Sequence, residues 1–193
     1  MLSTRLLSLL PFLSLALAAD PAVVTVCEFL HAQYPDITIF DPLGSHGSTT
    51  PVGEDTFNNT LTEYWNKLNG ENRPTCAFYP RNAGQVSVAV KQLNKYPGVE
   101  YALKSGGHNF NIGFSSTDGG ILISFNENLS STVRSEDGES FDVGPGARWG
   151  DVYEETIKTN QVVVGGRLGN IGVGGFILGG GLSYYSAQYV STQ

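Results

Sequence analysis

"KSGGHNF", residues 104–110, sets a histidine behind two glycines where little favours a helix. It continues "VEYALKS" (99–105), an alternating segment that reads as a strand, so His108 sits on a loop at a strand end. A plain loop residue is the simplest reading of His108. As a metal ligand it lacks company: His31 and His46 are the other histidines, both outside the main domain, and no His-x-x-x-His or carboxylate cluster surrounds it. As a general base it needs an orienting carboxylate, and none is near in sequence. As a nucleophile it needs only a neutral imidazole beside an electrophilic carbon, such as the 8-methyl position of a flavin.

Two more glycine loops follow predicted strands: "VGPGARW" (143–149) and "GGRLGNIGVGGFILGGG" (165–181), about half glycine. Such a run makes a poor helix and a poor strand interior. Flexible linkers rarely carry large apolar groups, yet Ile171, Val173, Phe176, Ile177, Leu178 and Leu182 are spaced through this segment. It therefore reads as an ordered, buried loop whose backbone approaches something closely. No G-x-G-x-x-G and no Gly-Lys-Ser/Thr occurs, which disfavours both a Rossmann dinucleotide site and a P-loop. Convergent main-chain amides from three loops would suit a pyrophosphate without a lysine. A flat apolar ring system would lie along Ile171, Val173 and Ile177.

Around these loops the pattern is mixed α and β. Residues 22–34 have helical spacing, with Val23, Val26, Cys27 and Leu30 on one face and Pro35 as the stop. A Gly/Ser/Thr/Pro-rich loop follows. Residues 56–69 predict a second helix with a core stripe of Phe57, Leu61, Tyr64, Trp65 and Leu68. "TCAFYP" and "GGILISF" read as strands. "NAGQVSVAVKQLNKY" reads as a helix with Val86, Val90 and Leu93 inward, ended by Pro97-Gly98. "TVRSEDGESFDVGPG" predicts a hairpin turning at residues 136–139, "WGDVYEETIKTN" a helix, and "QVVVGG" a strand. No fixed-period repeat is visible.

The chain has 193 residues, 24 of them glycine, and a net charge of −7, which argues against a nucleic-acid partner. Residues 1–18 read as a secretory signal peptide: Arg5, an apolar run from Leu6 to Leu17, and a small-x-small site at Ala16-Leu17-Ala18, with Ala19 as the alternative. A buried helix or a membrane anchor is the competing reading. No other stretch is long and apolar enough to span a bilayer, so no membrane partner is expected. In a secretory route Cys27 and Cys76 favour a disulfide over two buried thiols. Asn58-Asn59-Thr60 and Asn128-Leu129-Ser130 are glycosylation sequons, each weak alone.

"KSGGHNF", "VGPGARWGDVY" and "GVGGFILGGGLSYYS" resemble, in order and spacing, the FAD-linked oxidases of the berberine bridge enzyme type, within the vanillyl-alcohol oxidase/p-cresol methylhydroxylase superfamily. "RPTCAFYPRNAGQVSVAVKQLN" looks like that family's opening strand and helix, and the resemblance covers roughly residues 20–190. It implies an α+β FAD-binding domain of the p-cresol methylhydroxylase type with two α/β subdomains. This domain would occupy residues 72–193, with its second subdomain incomplete, after an N-terminal helical segment at 19–71.

The resemblance implies that His108 is joined covalently to the flavin 8α-carbon. Ser105, Gly106, Gly107 and Asn109 match the pyrophosphate loop. Gly144, Pro145, Gly146 and Trp149 match the second FAD loop. Ile171, Gly172, Gly174, Gly175, Gly179, Gly180 and Gly181 match the loop passing the isoalloxazine and pyrophosphate. Bicovalent members carry a cysteine before the last glycine motif. Here Leu168-Gly169-Asn170-Ile171-Gly172 stands in its place, so a 6-S-cysteinyl bond is not expected. Members also continue for hundreds of residues with a substrate domain and catalytic base, so the chain looks like the front half of an oxidase.

The expected activity is that of a secreted oxidase passing a hydride from a carbohydrate, alcohol or natural-product substrate to flavin N5 and on to dioxygen. The alternatives are a non-catalytic flavin-binding fragment, or a cofactor-free secreted module whose Tyr184, Tyr185 and Tyr189 contact sugar. Packing is the simpler role for those tyrosines.

Overall fold

The computed structural model describes residues 19–40 and 54–189. The expected leader, its cleavage site and His46 lie outside these residues. Helix α1, Pro21–Gln33, begins where Asp20 accepts a hydrogen bond from Ala22 N and Pro21 occupies a first-turn position that needs no donor. Val23, Val26, Cys27 and Leu30 are its buried face, as the spacing predicts. Strand β1, Thr38–Phe40, follows and is not anticipated, because three residues are too few to show alternation.

Strands β2 (Cys76–Phe78), β3 (Tyr101–Lys104) and β4 (Ile121–Ser124) complete a sheet of order β1-β2-β4-β3. β1 pairs antiparallel to β2, and β4 runs parallel to both β2 and β3. Every residue of β4 is buried, as expected of a central parallel strand. The Cys27–Cys76 disulfide ties α1 to β2, and α1 shares one core with the sheet. The N-terminal segment is thus part of the same packed unit.

Helix α3, Ala83–Leu93, starts at Asn82, whose side chain accepts from Gln85 N. Its inward residues are Ala89, Gln92 and Leu93, whereas Val90 is exposed. Of the three residues expected inward, Leu93 is buried, Val86 is half-buried and Val90 is exposed, with Ala89 taking the buried place beside it.

The helix predicted over 56–69 stops early: α2 covers Glu54–Thr62 and a 3-10 turn covers Lys67–Glu71, leaving Trp65 and Leu68 exposed. Asn66 breaks the run by accepting from Leu68 N, a local bond that competes with helix continuation. The strand predicted at "QVVVGG" is also missing. Gln161 is instead bonded through its side chain to Arg134, Thr159 and Gly138, and Gly165 and Gly166 pass against the Trp149 ring.

The second packed unit is small. Strands β5 (Thr132–Arg134) and β6 (Phe141–Val143) form the expected hairpin, with Gly138 at positive φ in its turn. Helix α4, Trp149–Ile157, packs Trp149 and Val152 with Ala147 and Val173. The glycine run contains helix α5, Val173–Leu178, contrary to the expected loop. Packing decides this: Val173 and Phe176 seat on the Trp149 cluster and hold a sequence whose propensity is poor. A short helix α6, Ser186–Tyr189, follows.

Candidate cofactor cleft

Past the carboxyl ends of the parallel strands β3 and β4 lies a cleft of about 540 Å³. All three glycine loops reach it. Ser105, Gly106, Gly107, His108 and Asn109 line one side, Pro145 a second, and Ile171, Gly172, Gly174 and Gly175 a third. Apolar faces come from Leu103, Phe125 and Phe176. Of the ring-binding trio expected from sequence, only Ile171 lines the cleft. Val173 is buried in the second core, and Phe176 and Leu178 take the places assigned to Val173 and Ile177.

Most of these glycines are required by contact between backbones. A Cβ on Gly106 would overlap Gly172 N, and one on Gly172 would overlap Gly106 N and Ser105 Oγ. Gly107 has φ +66°, and a Cβ there would press on Glu63 O at 2.6 Å. Gly174 faces Pro145 O, to which its own amide donates at 3.2 Å. Gly144 and Gly146 lie against the Leu129 and Phe125 backbones and do not line the cleft. Nor do Gly179, Gly180, Gly181 or Trp149. Gly181 packs on the Phe176 ring, and Trp149 is buried, stacking on Tyr153 with Phe176 edge-on.

Gly175 is different. Nothing lies within 4 Å of a Cβ built there, and it lines the cleft. Its amide, in the first turn of α5, donates to no backbone acceptor among the described residues, and neither do the amides of Gly106, Gly107 and His108. These are the bare donors that an anionic group requires.

Two residues that sequence reasoning missed organise the site. Arg148 gathers the loops: its guanidinium donates to Asn170 O at 2.7 Å and to Gly106 O at 3.4 Å, and pairs with Glu63 at 3.0 Å. Trp65 stacks on His108, with ring centroids 5.6 Å apart and planes 29° from parallel. Its amide donates to Gly107 O, while Asn66 and Asn69 donate to Phe110 O and Asn109 O. The only available signal was weak: an Asn-rich "YWNKLNG" is poor helix sequence.

Behind the loop lies Lys104. Its side chain is fully buried, its ammonium has no hydrogen-bond partner among the described residues, and it sits 4.9 Å from the centre of the Tyr64 ring. Burial brings its pKa down to about 8; nearby Glu63 and Glu127 oppose the shift and Arg148 adds to it. Burial likewise raises the Tyr64 phenol, whose hydroxyl donates to Ser115 O, and raises the Glu127 carboxyl.

A family model described as FAD binding domain matches residues 74–193. The chain belongs to this FAD-binding family. It is similar to an uncharacterized FAD-linked oxidoreductase of Arthroderma benhamiae, 44% identical over 126 residues, or 65% of this chain and 25% of that protein. It is also similar to the FAD-dependent monooxygenase prx3 of Penicillium roqueforti, 33% identical over 195 residues, covering 95% of this chain and 35% of that one. These curated relatives are thus about three to four times as long as the part this chain matches.

Among solved structures, a chitooligosaccharide oxidase is 26% identical with TM-score 0.65, over 86% of this chain and 33% of that chain. A berberine bridge enzyme variant in complex with (S)-reticuline is 23% identical with TM-score 0.67, over 89% and 33%, and shows the shared fold. The expected kinship with the berberine bridge enzyme type is therefore correct, and the fold is the mixed α/β fold of that FAD-binding domain. The cleft fits the cofactor: bare amides at Gly106, Gly107, His108 and Gly175 suit a pyrophosphate, and Ile171, Phe125 and Phe176 suit a flat ring.

Proposed function

We propose that this chain is the FAD-holding part of a secreted oxidase acting on a carbohydrate, alcohol or related natural product, with FAD attached through His108. The supporting observation is the convergence of three glycine loops, their unpaired amides and one imidazole on a single cleft. Bound FAD would supply the redox chemistry, accepting a hydride from a substrate C–H bond and delivering electrons to dioxygen. The chain's own residues hold and orient. Main-chain amides of residues 106–108 and 175 bind the diphosphate, Arg148 keeps the loops in register, and His108 presents its ring to the cleft wall.

Among the described residues, His108 is the only titratable side chain lining the cleft. A base for the substrate is thus not supplied by the described residues, and we expect the 193-residue chain to hold flavin without turning substrate over. The sequon at Asn58 is exposed on α2, whereas Asn128 is engaged as a donor to Tyr79 O at 2.8 Å. Of the two, Asn58 is the better glycan acceptor in a secreted product.

The test is direct. The purified protein is denatured, run on a gel and viewed under ultraviolet light. Yellow-green fluorescence that disappears in His108→Ala supports attachment at that residue. A colourless wild-type chain that also releases no FAD defeats the reading. Peroxide formation by the chain alone on sugars or alcohols would show that a base has been overlooked.

A further inference from the structure

We propose that Trp65 is a positioning residue for His108, fixing the imidazole in the orientation needed for flavin attachment; this rests on the covalent reading above. Trp65 is 63% exposed, an unusual state for the largest side chain, and it is nevertheless held firmly. Three hydrogen bonds from residues 65–69 land on the carbonyls of Gly107, Asn109 and Phe110, on either side of His108. The same segment lays its indole over the imidazole. Backbone and ring of His108 are therefore set by one short strap, while no side-chain hydrogen bond to His108 is present among the described residues.

The stack does what a hydrogen-bonded carboxylate does for other catalytic histidines: it removes rotamer freedom before the reaction. Attachment breaks one C–H bond of the flavin 8-methyl group and one imidazole N–H and forms the C–N bond. The two electrons and two protons leave to dioxygen as hydrogen peroxide. An imidazole free to rotate about χ1 and χ2 spends little time aimed at that carbon.

The experiment follows attached flavin over time after FAD is added to the apo-protein, by in-gel fluorescence. Trp65→Leu is expected to slow attachment about ten-fold or more, and Trp65→Phe, which keeps an aromatic face, to stay within about three-fold of wild type. Non-covalent FAD affinity in a His108→Ala chain is expected to be the same with or without Trp65→Leu. Attachment by Trp65→Leu at the wild-type rate would overturn the proposal. So would a matching loss of affinity in the His108→Ala background, since Trp65 would then act on the cofactor directly.

NMR of the apo-protein separates this from failure of the covalent reading. His108 ring protons should carry an upfield ring-current shift that Trp65→Leu abolishes. If the wild type attaches no flavin, the His108 bond falls, and an unchanged His108 signal in Trp65→Leu would remove the strap as well.

Discussion

Among the described residues, eighteen apolar side chains form one buried cluster around the four-stranded sheet, and only four do around α4 and α5. The first region is stabilised by side-chain burial and one covalent cross-link. The second is organised by backbones in contact, at Gly106 against Gly172 and Gly174 against Pro145, with Arg148 bonded across the seam. The cleft lies where the two meet. Burial makes a rigid platform, while close glycine contacts leave amides bare for a ligand. Four changes test that division.

The largest effect is expected from replacing both Cys27 and Cys76 by serine. The bond closes a loop with a sequence separation of 49, and its loss should cost about 4 kcal/mol on the chain-entropy model. Urea unfolding of the two forms measures this. A difference below about 1 kcal/mol would mean that the sheet region is secured by packing alone.

Next is Gly172→Ala. The added methyl would overlap Gly106 N, a backbone atom that cannot turn aside, and Ser105 Oγ, which is held by its hydrogen bond to Pro145 O. Such overpacking costs about 1–3 kcal/mol and forces the two loops apart. Loss of stability and of FAD binding together, from one methyl group, is the expected result. An alanine tolerated without cost would show that the seam is looser than its contacts indicate.

These cases also show what was legible in the sequence. Val23, Val26, Cys27 and Leu30 announced their face because helical burial leaves a period in the side chains. The three glycine motifs announced the cleft, since so little else explains glycine beside large apolar residues. Helix α5 was hidden because Val173 and Phe176 are fixed by Trp149, a contact with no trace in local propensity. Trp65 and Arg148 were hidden for a related reason: each acts on loops more than twenty residues away, and a single sequence records no such pairing. Trp149 lies in a matching motif, yet the motif says nothing of which way its ring points.

Lys104 reverses the sign. Lys104→Met replaces a buried ammonium that has no hydrogen-bond partner among the described residues by an apolar chain of similar volume, and should stabilise the protein by about 1–3 kcal/mol at pH 7. The folded pKa of about 8 lies below the ordinary 10.5, so between these values the unfolded chain holds a proton that the folded chain has released. Wild-type stability should therefore rise with pH across that window, and the advantage of Lys104→Met should shrink in step. Tyr64 and Tyr79, both raised by burial, lower stability above about pH 10 in both proteins and cancel in the comparison. A parallel pH dependence in the two proteins would mean that Lys104 is not charged at a cost in the native state.

The smallest effect on stability is expected at Gly175, and it separates the two uses of glycine. Its φ is not in the left-handed region, and a Cβ there meets nothing within 4 Å. Within α5, Gly175→Ala even gains helix propensity, so unfolding should change by no more than about 1 kcal/mol, toward greater stability. The same methyl would project where Gly175 lines the cleft, beside an amide with no backbone acceptor. FAD binding should therefore weaken by about ten-fold while the fold is untouched, read by fluorescence titration beside a urea melt. If Gly172→Ala harms folding and Gly175→Ala harms only binding, the glycines divide into those that let backbones meet and those that let a ligand approach. If Gly175→Ala binds FAD as the wild type does, the diphosphate lies nearer residues 106–108, and the glycine run serves the seam alone.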